Sequence, residues 1–228
     1  GKKAGLGEEG FARLRELDVG AFVRVGGPLW RPRTGELTVD ARRIDVLAKA
    51  LRPLPEKWHG LQDVETRFRQ RYLDLLVNPG VREAAVKRSR IVTAMRAFLD
   101  ARGFLEVETP VLQPVYGGAH ARPFSTRYAA YDQEVFLRIS DELYLKRLVI
   151  GGLDRVYEIG RNFRNEGVSR KHNPEFTMME CYQAFADYRD MMELAQSLFQ
   201  HVVRAVTGGS RVTFRGHEIE FGGEWPRI

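Results

Sequence analysis

Between Arg161 and Tyr182 the chain reads RNFRNEGVSRKHNPEFTMMECY, and the alternation around its central loop leaves few ways to fold it. Successive side chains of a strand point to opposite faces of a sheet. From Val156 to Arg164, one face therefore carries Glu158, Asn162 and Arg164, and the other Tyr157, Ile159 and Phe163. From Phe176 to Gln183, Phe176, Met178, Glu180 and Tyr182 share a face, with Thr177, Met179 and Cys181 behind them. Joined by the loop from Asn165 to Glu175, which holds Glu166, Arg170, Lys171 and His172, the two segments predict a long antiparallel hairpin. Its polar faces can be coplanar, forming a floor for a ligand or a merely solvated surface. A Phe and a Tyr among the acids favour the floor.

The 228 residues suit one large domain, or a small domain followed by a larger one. A net charge of +6 permits contact with a polyanion without requiring it. The single cysteine, Cys181, excludes an internal disulfide and a cysteine-only zinc site, and fits a reducing compartment. No apolar run approaches the roughly 20 residues of a membrane-spanning helix, and the amino terminus has no signal-peptide core, so a cytoplasmic protein with no membrane partner is expected.

In chain order, Gly1–Leu17 predicts a short amphipathic helix, and Ala21–Leu47 predicts strands with a turn at Arg33, Thr34 and Gly35. Two or three strands cannot close a barrel, so any barrel here would need strands outside the sequence. Arg52–Gly60 (RPLPEKWHG) reads as a linker containing Trp58. Asp63 predicts the cap of one helix reaching Leu76, whose Arg67, Arg69 and Arg71 are either a solvated face or a nucleic-acid contact. A longer helix over Val81–Ala101 follows, then a strand, FLEVETP, which stops at Pro110 because proline has no amide for a ladder. GGAHARPF (Gly117–Phe124) is a glycine-led loop; Phe136–Ile139 is a strand; Ser140 is a predicted cap for a helix starting at Asp141 and Glu142. Asp187 opens a helix to Val206, and RVTFRGHEIEF predicts a hairpin turning near Gly216 and His217.

With these residues in place, the chain resembles the class II aminoacyl-tRNA synthetases, and among them the lysine-specific branch. The helix to Ala101 with FLEVETP resembles the family's first motif, a dimer interface ending in a proline, here Pro110. FRNEG with HNPEFTMMECY resembles the second motif, an ATP-binding hairpin. GGAHARPF and DELYLKRL resemble segments that set the lysine enzymes apart from the aspartate and asparagine ones. Ala21–Leu51, running on into KALRPLP, resembles the last strands of an anticodon-binding OB-fold barrel. The resemblance implies an α+β fold, an antiparallel sheet flanked by helices, with residues 1–60 as a partial OB-fold domain and linker and 61–228 as the N-terminal part of the catalytic domain.

It further implies a lysine–tRNA ligase that joins lysine to ATP as lysyl-adenylate and passes it to tRNA(Lys), working as a homodimer. Arg164 would be the catalytic residue, bridging the α-phosphate and the lysine carboxylate. ATP would be bound by Arg164, Glu166, His172, Asn173 and Phe176, with Glu166 on the adenine amino group, His172 on the terminal phosphates and Phe176 stacked on the base. Lysine would be bound by Gly118, Glu142, Arg164, Glu180 and Tyr182. Mg2+ would accompany ATP on ligands outside this sequence, with no metal ligand among these residues. The family's third motif, its magnesium acids and the first barrel strands have no counterpart here, so a portion of a longer protein with little aminoacylation of its own is expected. Two other readings stay open: a related ligase that attaches the lysyl group to a protein, and a catalytically silent nucleic-acid-binding fragment. His120 has no assigned role.

Overall fold

In the computed structural model, residues 3–54, 60–167, 169 and 171–227 are described. Trp58 and most of the predicted linker, together with Arg170 of the hairpin loop, lie outside them. The chain divides into two compact units, Gly1–Ala85 and Val86–Ile228.

The first unit opens with helix α1 (Lys3–Arg13), interrupted at Gly7 (φ 70°), and a 3-10 turn at Leu14–Glu16. Four short strands follow: β1 (Phe22–Gly26), β2 (Leu29–Trp30), β3 (Thr38–Val39) and β4 (Arg43–Ala48). β1 pairs antiparallel with β4, and β2 with β3. Gly27 is required at this crossing, since a Cβ there would lie 1.9 Å from the Asp40 carbonyl oxygen.

The single helix predicted over Asp63–Leu76 is in fact two, α2 (Val64–Arg69) and α3 (Arg71–Val77), parted at Gln70 (φ −117°, ψ 58°). Asp63 does cap the first, accepting from Thr66 N at 2.8 Å. The break has a local cause in Asp74, which is fully buried and accepts from Arg67 Nε at 2.9 Å, Arg71 Nη1 at 2.5 Å and Asn78 Nδ2 at 2.6 Å. In a straight helix residues 67 and 74 stand about 10 Å apart along the axis, and the bend brings them together. Burial alone would raise the Asp74 carboxyl, but the Asn78 and Arg67 hydrogen bonds and the charges of Arg67 and Arg71 hold it below its usual range. Two of the three arginines thus serve the fold.

The long helix α4 spans Pro79–Asp100. In the second unit come β5 (Leu105–Glu106), β6 (Leu112–Gln113), β7 (Ser125–Tyr128), a 3-10 turn at Ala129–Tyr131, β8 (Gln133–Leu137), α5 (Glu142–Ile150), β9 (Arg155–Phe163), β10 (Glu175–Gln183), α6 (Tyr188–Thr207), β11 (Arg211–Phe214) and β12 (His217–Glu220). One sheet has the order β10-β9-β5 and another β6-β8-β7. Every pairing is antiparallel except β5 with β9. FLEVETP forms a ladder only at Leu105–Glu106; Val107 N still reaches Tyr157 O at 2.9 Å, and the chain then leaves the sheet for an exposed Pro110. β6 and β7 were not predicted.

The hairpin of β9 and β10 has the alternation read from the sequence, with Tyr157 opposite Cys181 and Ile159 opposite Met179 on the apolar side. That side covers Phe98, Leu99, Phe104 and Leu198, joined by Met95, Leu194 and Val202. Burial, then a 2.8 Å hydrogen bond to Asp100, keeps the Tyr157 phenol protonated far above its ordinary pKa. α6 begins with a capping box in which Asp187 accepts from Asp190 N and Asp190 from Asp187 N. The β11–β12 turn is carried by Arg215 (φ 52°) and Gly216 (φ 83°), so His217 starts a strand instead of turning the chain. Leu99 is wholly inaccessible, and Leu99→Ala should destabilise the protein by about 2–5 kcal/mol in a denaturant titration.

Candidate functional site

The polar side of the β9–β10 hairpin sets Glu158 opposite Glu180 and Asn162 opposite Phe176. Two acids face to face would repel, and the residues between β8 and α5 resolve this. Arg138 Nη1 lies 2.5 Å from Glu158 Oε1, and Arg138 Nε lies 3.1 Å from Asp141 Oδ1. Glu158 Oε2 also accepts from Thr109 N and Oγ1, at 3.2 and 2.6 Å. Glu180 is held differently: Ser140 Oγ donates to its Oε1 at 2.7 Å, Asp141 N at 3.4 Å, and Tyr182 OH donates to Oε2 at 3.2 Å. Glu158 is therefore ion-paired inside the protein, while Glu180 is oriented by neutral donors.

α5 begins at Glu142, one residue later than predicted. Asp141 is the N-cap by position, but its carboxylate is turned toward Arg138 and Asn162, with Asn162 Nδ2 donating at 3.2 Å. Ser140 Oγ instead accepts from Glu142 N at 3.2 Å while donating to Glu180. Gly118 sits against this corner at φ 85°, where a Cβ would come within 2.8 Å of both Glu142 Cβ and Ser140 Oγ. Glu142 itself accepts from Lys146 Nζ at 2.6 Å. Arg164 donates from Nε and Nη2 to the Ile139 carbonyl at 3.3 Å, with its guanidinium carbon 5.2 Å from the centroid of Phe176.

Of the five residues predicted for lysine, Glu142 belongs to the short segment Ile139–Glu142, Gly118, Arg164 and Glu180 touch it, and Tyr182 bonds to Glu180; Phe176 adjoins Arg164. The hairpin loop is separate. His172 Nδ1 is 2.8 Å from Ser169 Oγ, the two residues also exchange backbone hydrogen bonds, and Arg164 N reaches Pro174 O at 2.9 Å. Glu166, His172 and Asn173 are exposed, as are Pro110 and His120.

Burial raises the Asp141 carboxyl to about 6, with Glu158 and Glu180 pushing the same way and Arg138 and Asn162 opposing. Burial and then the charges of Glu180 and Glu142 hold the Tyr182 phenol protonated well above its ordinary pKa, fixing it as a donor. Cys181 is likewise raised, by burial and by Glu180, so it is a protonated packing residue at neutral pH. For Asp141 the folded state binds its proton more tightly than an unfolded aspartate does. This contribution is complete below pH 3.8 and disappears as pH rises through about 6. The stability of the wild type relative to Asp141→Asn should therefore fall by up to about 3 kcal/mol between pH 4 and 7, followed by thermal melts across that range.

Sequence reasoning missed Arg138, Thr109 and Lys146, and treated Ser140 only as a cap. One signal was available: Arg138 interrupts the apolar run VFLRIS, where a buried arginine demands acids nearby.

The family model for class II tRNA synthetases (D, K and N) matches residues 63–228. The chain is 57% identical over 224 residues to the lysine–tRNA ligase of Roseiflexus sp. (strain RS-1), covering 98% of this chain and 46% of that protein. It is 55% identical over 223 residues to the lysine–tRNA ligase of Carboxydothermus hydrogenoformans, with 98% and 46% covered. Over 229 residues it is 57% identical to that of Anaeromyxobacter sp. (strain K), with 100% and 45% covered. The chain thus spans less than half the length of these relatives.

Proposed function

Since this chain belongs to the class II tRNA synthetases (D, K and N), we propose that it carries the ATP-binding hairpin and much of the amino-acid pocket of a lysine–tRNA ligase. The observation that carries this reading is Glu180, a carboxylate inside the site that is aligned by Ser140, Asp141 N and Tyr182 but paired with no cation among the described residues. Such a group suits an incoming ammonium.

In this reading lysine enters between Gly118, Glu142, Glu180 and Tyr182, with its carboxylate toward Arg164. Arg164 bridges that carboxylate and the α-phosphate of ATP. It draws two anions together and cancels charge as the carboxylate oxygen attacks phosphorus and pyrophosphate departs. The Phe176 ring, with Arg164 at one side, offers its other face to adenine, while Glu166, His172 and Asn173 line the rest of the nucleotide site. Glu142 already holds Lys146 Nζ, so an amino group arriving there shares or displaces that contact. Mg2+ is expected with ATP. No group of three His, Cys, Asp or Glu side chains suited to a metal gathers among the described residues, and no step here runs through the ion.

The lysyl-adenylate would then pass to tRNA(Lys). Residues 1–60 are read as the partial OB-fold anticodon-binding domain with its linker, and 61–228 as the N-terminal part of the catalytic domain, a division supported by the family match beginning at residue 63. Pro110 is read as a homodimer contact and the cytoplasm as the compartment. No described helix is long and apolar enough to cross a membrane. The direct test is ATP–pyrophosphate exchange by the full-length enzyme with each amino acid in turn, followed by charging of tRNA(Lys) or of protein acceptors. Lysine-dependent exchange and tRNA charging are expected; exchange driven by aspartate or asparagine instead would overturn the substrate assignment.

A further inference from the structure

Arg138 is 2% exposed, and its side chain bonds to four residues of the second unit, Thr109, Asp141 and the β9 residues Glu158 and Arg161. Its Nε donates to Arg161 O at 2.9 Å and pairs with Asp141; its Nη1 reaches Thr109 O at 3.2 Å, Thr109 Oγ1 at 3.1 Å and Glu158. Its backbone is pinned too, the N–H to Val111 O and the carbonyl by Phe163 N, both at 2.9 Å. The next residues make the contacts on which the site depends: Ile139 O accepts from Arg164, and Ser140 Oγ and Asp141 N donate to Glu180.

We propose that Arg138 is a positioning residue for amino-acid activation, locking the Ile139–Glu142 segment so that Arg164 and Glu180 are aimed at the same small volume. The inference rests on the lysine-activation reading above. Neither Arg164 nor Glu180 has an ion pair to fix it among the described residues, and both are bonded to this one segment. The guanidinium suits the task because its planar fork meets several acceptors at once, which a lysine ammonium on a flexible stem cannot do. Gly160 on β9 makes room for it, since a Cβ at that position would lie 2.0 Å from Arg138 Nη2 and 3.3 Å from Glu158 Oε1. With both Nε and Nη1 bonded and Nη2 close against Gly160, the arginine has no easy way to yield.

Two variants of the full-length enzyme test this from opposite directions. Arg138→Lys keeps the charge and loses the fork; Gly160→Ala keeps the fork and displaces it. In lysine-dependent ATP–pyrophosphate exchange both should lower kcat roughly 100-fold, the effect of a misplacement on the order of 1 Å. KM for lysine should rise more than KM for ATP, because lysine meets both Glu180 and Arg164, whereas ATP meets Arg164 but also Glu166, His172 and Asn173 on the hairpin loop outside the segment. Wild-type kcat in a cooperatively melting Gly160→Ala enzyme overturns the proposal, as does an equal rise in both KM values, which is what a purely structural role gives. Should Arg138→Lys fail to fold, Gly160→Ala decides together with Thr109→Val, which removes one hydroxyl contact to Arg138 and one to Glu158 without touching a charge. The wild-type control separates the two readings: if it exchanges with another amino acid, the substrate assignment fails, and the same variants measured with that amino acid still judge Arg138.

Discussion

Arg164→Ala in the full-length enzyme is expected to abolish lysine-dependent ATP–pyrophosphate exchange, a loss of about 10³-fold or more, while leaving the protein folded. The two halves of that expectation have different sources. The fold is spared because Arg164 contacts a carbonyl, Ile139 O, through two long hydrogen bonds of 3.3 Å, and the ring of Phe176 at 5.2 Å. Among the described residues no buried acid pairs with it, so alanine strands no charge there, and removing the contacts should cost roughly 1 kcal/mol. In the proposed mechanism activity is lost because two anions must meet, and their repulsion falls most through a fixed cation between them. Arg164→Lys should recover little, since one ammonium cannot engage a carboxylate and a phosphate in the same plane. Near-normal exchange in the alanine variant, with an unchanged melting curve, would remove Arg164 from the mechanism.

The two faces of the hairpin were legible in the sequence because strand parity is strict, whereas the catalytic role proposed for Arg164 came from the family resemblance. Once β9 and β10 are recognised, the side-chain period of two assigns Glu158, Asn162, Phe176 and Glu180 to one face and Tyr157, Ile159, Met179 and Cys181 to the other. What parity could not provide was how Glu158 and Glu180, set opposite one another, would differ. That is decided by Arg138 and Thr109, which stand on other elements and reach Glu158 only through the tertiary fold. The kink at Gln70 escaped for a similar reason. Helical periodicity continues across it, and the break is what brings Arg67 to the buried Asp74, a contact seven residues apart that the pattern does not show. β7 was hidden by its composition: Ser125–Tyr128 is exposed throughout, so no apolar alternation marks it, and its return to β8 runs through a 3-10 turn and Asp132 at φ 54° with no glycine to signal a hairpin. The exposed loop residues Glu166, His172 and Asn173 gain their proposed roles from the family alone.

Glu180→Gln should raise KM for lysine about 100-fold and leave KM for ATP nearly unchanged, the magnitude of one charge-assisted hydrogen bond in a partly buried site. The substitution is nearly isosteric, and the surroundings accommodate it. The amide oxygen can still accept from Ser140 Oγ and Asp141 N, and the amide nitrogen faces Tyr182 OH, which can accept as well as donate. Geometry is thus conserved and only the charge is removed. A second, activity-free readout follows from the same change. After burial, Glu180 is the largest influence holding the Tyr182 phenol protonated, so spectrophotometric titration of Glu180→Gln should show a tyrosine ionising at lower pH than in the wild type. If Glu180 served only to satisfy Ser140, the tyrosine would still shift but KM for lysine would not. If it binds the substrate ammonium, both move together, and lysine added to the wild type should displace the same tyrosine titration.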